Sequence, residues 1–397
     1  MNKPKREEKM KGKTSTRNFP SFAFSSRGGF TVIEVLVGSL IMLAIIVATL
    51  SLYTRSNKVS VDQQQFAEIQ HDVRAAMYFV SRDIRSAGVG LLTDLVGYSL
   101  EGIDGHGPSP ESPDSIKLMG NFYDPLDLTV QFQAGVIFQV DVSALNSSPY
   151  QEAFYEGKEV MITSPTCPGC FALLYISNIS WPMGVAPGTF AMPPGQSELN
   201  PPGGLSDTGC PADCWADAKI TFVQIKQYWL DTTGNPGDYP DLNPSVGQDG
   251  YLGIPYTLYL TTIDEGGDIS HMPLALNIES IQFQYFGDLD NDGILDGPTD
   301  WDNSNWTIDP MDDEVTKQAK LVLISRIHMV RIWVLGRTRN PYVSVSGTPS
   351  ANLHLYRRPA VANSAVGEET DKHRRFLLES TAQIRNMSLS IYNSGTN

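Results

Sequence analysis

Residues 30–53 read FTVIEVLVGSLIMLAIIVATLSLY, and this run is apolar except for one charged side chain, Glu34. A helix of these 24 residues is about 36 Å long, whereas the hydrocarbon core of a bilayer is roughly 30 Å thick. The run therefore predicts a membrane-spanning helix. A carboxylate inside such a helix costs on the order of 2.5–3.5 kcal/mol. Glu34 is accordingly either a functional residue or a carboxylate that lies among the lipid headgroups.

Charge is distributed unevenly on the two sides of the apolar run. Residues 1–29 contain eight Lys or Arg and two Glu, whereas the whole chain has a formal net charge of −15, which leaves −21 on residues 30–397. Because positively charged flanks stay in the cytoplasm, the pattern predicts a single-pass membrane protein with its body outside. An acidic body repels phosphate backbones, so we expect no direct nucleic-acid partner.

Three ordinary kinds of segment share part of this pattern. A secretory signal peptide would be removed after a site such as Val47-Ala48-Thr49, but its apolar stretch usually spans about 7–15 residues. A plain membrane anchor has the required length and gives no reason for Glu34. A core helix of a soluble protein explains neither the length nor the charge distribution. We therefore expect a membrane anchor whose one carboxylate has a function.

The segment Arg27-Gly28-Gly29-Phe30-Thr31-Val32-Ile33-Glu34 resembles the processing motif of type IV prepilins. The resemblance implies that a prepilin peptidase removes residues 1–29 as a cytoplasmic leader, cutting between Gly29 and Phe30, and that Phe30 is then methylated. It also implies an assembly role for Glu34, because a carboxylate can neutralise the freed α-amino group of a neighbouring subunit. Such subunits pass from the bacterial inner membrane, with the body in the periplasm, into a pilus at the cell surface.

The helix is predicted to continue from Phe30 to Ala87, because no helix breaker follows the apolar run until Gly88. Residues 54–90 are more polar, and their apolar side chains recur every three or four positions, which defines one apolar face. These side chains are Phe66, Ile69, Val73, Ala76, Met77, Val80 and Ile84. A helix with one apolar face is typical of packing against a sheet, and a coiled-coil stalk is the alternative.

The body, residues 91–397, is predicted to be an extracytoplasmic β-rich domain, because apolar runs of strand length occur along it. The runs are Glu159–Thr163, Ala172–Ser180, Ile220–Leu230, Tyr256–Thr262, Ile278–Phe286, Leu321–Leu335 and Phe376–Leu389. The predicted fold class is therefore α+β. In it, the long N-terminal helix packs on an antiparallel β-sheet that carries extended loops.

Three segments resemble the PilW family of minor pilins. Val80–Gly88 matches that family's helix end, Leu276–Asp288 its strand followed by an acidic loop, and Arg374–Asn386 its closing strand. The resemblance implies a type IV pilin-like fold and a minor pilin that starts or assembles a pilus with other minor and major pilins. The J-type minor pseudopilins of type II secretion share the first segments and are the close alternative. Residues 91–215 resemble no family.

The segment 288–296, DLDNDGILD, places acidic side chains at alternate positions and glycine at the sixth. This pattern matches the opening of an EF-hand-type calcium loop, where carboxylates and the seventh carbonyl surround a hard cation. The predicted ligands are Asp288, Asp290, Asp292, the carbonyl of Ile294, and Asp296. The twelfth position is Thr299 instead of the usual Glu, and an acidic turn between strands has the same composition. Calcium binding would also suit a membrane-anchored binding or adhesion module, the second functional hypothesis.

Four cysteines fall into two close pairs along the sequence, Cys167 with Cys170 and Cys210 with Cys214. Two such pairs can bind zinc through four thiolates. Outside the cytoplasm, however, thiols are oxidised. We therefore expect disulfides instead of a zinc site, and all three connectivities are open.

The sequence contains no catalytic motif of the common hydrolase, metalloprotease or phosphate-binding types. Its six histidines are scattered without the spacing of a metal site. We therefore expect a structural protein that is not an enzyme.

Overall fold

The computed structural model of the protein describes residues 29–91, 97–105, 112–122, 127–135, 137–141, 159–167, 170–180, 188–193, 205, 210–235, 250–263, 269–308, 314–341, 355–364 and 370–387. Nearly all of the predicted leader, residues 1–28, lies outside the described residues. The chain divides into two compact units, Met1–Asn57 and Lys58–Asn397.

Helix α1 spans Val32–Ser86, which confirms the predicted long N-terminal helix. Its residues from Val32 to Asn57 are all exposed, and the helix is long and apolar enough to cross a membrane. From Lys58 onward the helix buries one face. It ends shortly before Gly88, whose φ of +76° is a left-handed conformation that glycine adopts without steric cost.

Among the described residues, eighteen strands and a second helix follow α1. They are β1 (Leu100–Ile103), β2 (Ser115–Gly120), β3 (Asp127–Ala134), β4 (Ile137–Asp141), β5 (Glu159–Thr163), β6 (Phe171–Tyr175), β7 (Asn178–Ser180), β8 (Gly188–Ala191), β9 (Lys219–Phe222), β10 (Gln224–Asp231), β11 (Thr257–Ile263), β12 (Ile269–Ala275), β13 (Ile278–Gly287), β14 (Asp296–Thr299), α2 (Glu314–Ser325), β15 (Ile327–Arg337), β16 (Tyr356–Arg357), β17 (Thr370–Asp371) and β18 (Arg375–Gln383). The strand pairs are antiparallel, so the predicted α+β class with antiparallel pairing is confirmed.

The strands form three larger sheets instead of the single predicted sheet. Sheet I has the order β1-β2-β10-β11-β12, and sheet II has the order β14-β13-β15-β18. The two sheets are adjacent, because the Asp114 amide, just before β2, donates a hydrogen bond to the Ile281 carbonyl on β13 at 2.9 Å. Strands β16 and β17 form a separate two-stranded ribbon.

The third sheet, with the order β6-β5-β9-β3-β4-β8-β7, closes into a barrel. Strands β6 and β7 are separated in the chain only by Ile176 and Ser177, so one bent strand pairs with β5 through its first half and with β8 through its second. Closure leaves no long open edge. The interior is apolar and includes Phe138, Phe190 and Trp215. The barrel is inserted between β2 and β10, which are neighbours in sheet I.

The main core combines α1 with sheets I and II. The helix contributes six of the side chains on its predicted apolar face, Ile69, Val73, Ala76, Met77, Val80 and Ile84. They pack with residues such as Tyr228 and Leu258 of sheet I and Phe283 of sheet II. At Gly336 on β15 the sheet comes so close to the helix that an added Cβ would lie 2.5 Å from the Val73 Cγ2 atom. Removal of this apolar surface from water is the main term that holds the helix in place.

One predicted strand, Leu321–Leu335, is wrong in its first part. Helix α2 continues to Ser325, and only β15, from Ile327 onward, is a strand. Leu321 and Ile324, three positions apart, are buried, whereas Val322 is 42% exposed. This spacing is that of a helix with one apolar face, but an unbroken apolar run cannot be assigned to helix or strand by periodicity alone.

Three other predicted runs have different boundaries in the structure. Ile220–Leu230 divides at Val223, because β9 belongs to the barrel and β10 to sheet I. Ala172–Ser180 divides at the bend between β6 and β7. Strand β18 ends at Gln383, and residues 388–389 of its predicted run lie outside the described residues.

Candidate functional site

The predicted processing junction lies at the start of α1. Gly29 and Phe30 precede the helix, and the Phe30 side chain is 86% exposed. Thr31 and Glu34 form a capping box. The amide and hydroxyl of Thr31 donate to Glu34 Oε2 at 3.0 and 3.1 Å, and the Glu34 amide donates to Thr31 Oγ1 at 3.3 Å. The carboxylate is therefore held at the first turn of the helix, where the helix dipole also favours negative charge.

The predicted calcium loop connects β13 to β14. Carboxylate oxygens of Asp288, Asp290 and Asp296 lie within 4.8 Å of one another. The Gly293 amide donates to Asp288 Oδ2 at 3.1 Å, and the φ of Gly293 is +84°, so the sharp turn at the sixth position favours glycine. Among the described residues, Asp288 Oδ1 is buried without a hydrogen-bond partner. Three converging carboxylates and one unsatisfied buried oxygen fit a hard cation such as calcium.

The structure brings together three of the four predicted carboxylate ligands. The fourth, Asp292, is outside this group, and its Oδ1 accepts a hydrogen bond from the Ile294 amide at 2.7 Å. Thr299, at the twelfth position, lies on β14 opposite Tyr285 of β13. Asp300 is partly buried near Asp104, and this burial, with the charge of Asp104, raises the pKa of its carboxyl. The predicted calcium-loop pattern therefore covers the hairpin connection between β13 and β14 and continues into β14 itself, from Asp296 to Thr299.

The cysteines form two nested disulfides that join the two sequence pairs. Cys167 bonds to Cys214, which we call the outer disulfide, and Cys170 bonds to Cys210, which we call the inner disulfide. The Cα–Cα distances of 5.6 and 5.9 Å are normal for such bonds. The disulfides tie the end of β5 and the start of β6 to the short 3₁₀ turn that carries Trp215. The structure agrees with the expected disulfides, because the four cysteine sulfur atoms are bonded in two pairs.

A buried ion pair between α1 and sheet I was not predicted from the sequence, in which Asp83 lies outside the predicted apolar face of the helix. Asp83 is 2% exposed and accepts hydrogen bonds from Arg82 at 2.7 Å, Lys226 Nζ at 2.9 Å and the Tyr228 hydroxyl at 2.6 Å. Burial acts to raise the pKa of the Asp83 carboxyl, but these three donors outweigh it and lower the pKa. The sequence does not reveal this cluster because Lys226 and Tyr228 lie more than 140 positions away from Asp83.

A second buried carboxyl, Asp114, joins sheets I and II. It accepts hydrogen bonds from the Phe283 amide at 2.7 Å and the Gly105 amide at 3.0 Å. Burial raises the pKa of the Asp114 carboxyl well above its usual range, against the effect of the two amides, and nearby Asp104 raises it further. Asp104 in turn accepts a hydrogen bond from Asn363 at 2.8 Å. These residues position the two sheets, and we assign them a structural role.

Comparison with solved structures finds a likeness in fold. No family model and no curated protein matches the chain. Among solved structures, a type IV-like pilin from Thermus thermophilus is similar over 62% of this chain and 96% of that chain, with 11% sequence identity and a TM-score of 0.21. These values do not place the chain in a family, so the description of the fold depends on the elements given above.

Proposed function

We propose that the protein is a structural, non-enzymatic minor pilin that takes part in assembling a type IV pilus from the bacterial inner membrane. The observation that carries the proposal is the first part of α1, which is apolar from Val32 to Tyr53 and exposed throughout, with Glu34 as its one charge. An exposed apolar surface of this length is stable in a bilayer or against other apolar helices. The body would lie in the periplasm before assembly.

Glu34 would act in assembly through its charge. Cleavage after Gly29 frees the α-amino group of Phe30, a cation at the edge of the apolar layer. The Glu34 carboxylate of a neighbouring subunit can pair with it, and such a pair is strong where water is excluded. Contacts between apolar helices replace contacts with lipid and favour no single register. The ion pair therefore provides the register between neighbouring subunits.

The size of the body supports a minor subunit more than the bulk filament protein. Strands β3 to β9 form a closed barrel that is inserted into sheet I and adds a second apolar core beside the main one. Each copy of such a subunit needs more room around the filament axis than a single-sheet body. The proposed partners are the prepilin peptidase and the other minor and major pilins.

Mass spectrometry of the mature chain tests this proposal. The full chain is expressed with a prepilin peptidase, and we expect loss of residues 1–29 and a methylated Phe30. Gly29→Val should block cleavage, because the peptidase needs an unencumbered backbone before the cut, whereas Gly38→Val on the exposed helix should be cleaved normally. Glu34→Gln should be cleaved but should fail to enter filaments. An intact leader in the wild type, or cleavage near Ala48, would refute the proposal.

We also propose that the loop between β13 and β14 binds calcium. The supporting observation is the unsatisfied buried Oδ1 of Asp288 beside the carboxylates of Asp290 and Asp296. These three side chains would hold the ion, with the Ile294 carbonyl and Asp292 as the further predicted ligands. A bound cation would neutralise the like charges of the loop and fix the connection between the two strands.

Thermal unfolding with and without calcium tests this second proposal. Calcium is expected to raise the melting temperature of the full chain, and EDTA is expected to reverse the shift. Asp290→Asn should remove most of the shift. The matched control is Asp217→Asn, an exposed residue with a φ of +62° that Asn also tolerates. An Asp290→Asn variant with an unchanged calcium response would contradict the proposed site.

A further inference from the structure

The exposed face of α1 in the second unit carries a stripe of cationic and aromatic side chains. From residue 69 to residue 86, the exposed positions of the helix are His71, Arg74, Tyr78, Arg82 and Arg85. Their spacing of three and four positions places them on one face, opposite the buried face, over about 21 Å of helix. We call these five residues the α1 stripe.

The α1 stripe has the composition of an interface. The Tyr78 side chain is 61% exposed, between arginines on both sides. Arg82 donates to Asp83, but Arg74 and Arg85 have no carboxylate partner among the described residues. Tyr and Arg are the residue types that most often supply binding energy at the centre of protein interfaces. Two unpaired guanidinium groups next to an exposed ring therefore indicate a contact with an acidic surface.

The chain itself carries a complementary acidic surface. The loop 288–296 presents four Asp side chains, and those of Asp290 and Asp292 are exposed. If calcium binds the loop, two negative charges remain, so the sign of the surface is unchanged. Among the described residues, no ion pair joins this loop to the α1 stripe within one chain. Both surfaces are therefore open to another molecule.

We propose that the α1 stripe of one copy binds the acidic loop of a second copy of this chain. The contact joins two different surfaces, so each copy still has one stripe or one loop open after the first contact forms. Such a heterologous contact does not close a dimer and leaves a surface open for a further subunit. This inference rests on the proposed function, because the assembly of a pilus is what would bring copies of this subunit together.

The test uses full-length chains in detergent with two different affinity tags. The stripe variant is Arg74→Glu/Arg85→Glu, and the loop variant is Asp290→Lys/Asp292→Lys. Capture of one tagged wild-type copy by the other should fall with rising salt, because exposed charges are screened. Each variant should capture itself about tenfold less than the wild type does, because like charges then face each other. A mixture of the two variants should restore capture, since their reversed charges are complementary.

Two controls separate charge from folding. Arg339→Glu/Arg357→Glu reverses two exposed arginines outside the stripe and should leave capture unchanged. Tyr78→Ala should lower capture without any change of charge. Circular dichroism in EDTA, where no calcium contributes to stability, must show the same melting temperature for each variant as for the wild type.

The outcomes distinguish this inference from the proposed function. If Phe30 is freed and methylated but the stripe and loop variants associate like the wild type, or their mixture does not recover, the docking inference is wrong and the pilin proposal stands. Capture that is abolished by nuclease treatment would mean that the stripe binds nucleic acid, which also overturns the inference. An intact leader refutes the pilin proposal whatever the capture result is.

Discussion

The buried carboxylate of Asp83 links α1 to sheet I, and its replacement by Asn is expected to destabilise the protein by about 3–5 kcal/mol. Asp83 is 2% exposed and Lys226 is 7% exposed, so neither charge is well solvated. Without the carboxylate, the Lys226 ammonium stays buried next to an amide that cannot balance its charge. The Tyr228 hydroxyl also loses a charged acceptor, which by itself is worth about 1.5–3 kcal/mol.

A double-mutant cycle measures how much of this loss of stability comes from the interaction between Asp83 and Lys226. Lys226→Met alone should cost less than Asp83→Asn, because Arg82 and Tyr228 still stabilise the Asp83 carboxylate. The double variant Asp83→Asn/Lys226→Met removes both charges, so it should cost less than the sum of the two single changes, because no unpaired lysine charge stays buried. The coupling free energy between the two sites should therefore be at least about 2 kcal/mol.

Urea unfolding of the full chain in detergent, followed by circular dichroism, gives the free energies of unfolding. The pKa of Asp83 is lowered in the folded protein, so its stabilising effect is present above the unfolded pKa of about 3.9 and is lost as the pH falls through the lowered folded value. The reasoning is refuted if Asp83→Asn costs less than about 1 kcal/mol at neutral pH, or if the cycle gives no coupling.

Three further outcomes follow from the structure. The pKa of Asp114 is raised in the fold, so its contribution to stability is complete below about pH 3.9 and is lost as the pH rises through the folded value; Asp114→Asn should remove this fall from the pH profile of urea unfolding. Removal of the inner or the outer disulfide alone should lower the free energy of unfolding by about 2–3 kcal/mol, and removal of both by about 6–7 kcal/mol. The losses are not additive because either bond alone keeps the long loop closed in the unfolded chain. Urea unfolding of paired Cys→Ser variants would contradict this if the two single losses added up to the double one. Gly336→Ala should cost about 1–3 kcal/mol, because its Cβ meets the β-branched side chain of Val73, and an unchanged melting temperature would show that the helix moves away freely.

The parts of the fold that depend on local sequence could be predicted. The period of three to four residues between Ile69 and Ile84 gave the buried face of α1, and the apolar run Ile278–Phe286 gave β13, because each pattern lies within one element. The turn between β13 and β14 could also be predicted, because its Asp and Gly residues lie next to one another in the sequence. The roles of Gly29, Phe30 and Glu34 stay predictions, since cleavage and assembly involve other molecules.

The parts that depend on distant partners could not be predicted. Asp83 follows the pattern of a solvated charge along the helix, and only β10, folded against it, turns it into a buried ion pair. The cysteine spacing allowed three connectivities, and the nested one is possible because the fold brings the segment after β5 next to the turn that carries Cys214. Residues 321–325 form a helix and not a strand because Leu321 and Ile324 both pack into the core, and this packing is not visible in the local sequence.

The barrel is inserted between β2 and β10 and leaves the pairing of these two strands of sheet I intact. Strands β2 and β10 pair directly, with Gly120 opposite Gln224, as they would if a tight turn joined them. Among the described residues, the apolar core of the barrel contains no side chain of α1, whereas the core that holds the helix is built by sheets I and II. Substitutions in the barrel core should therefore lower the stability of the barrel more than they disturb the packing of α1 on sheets I and II.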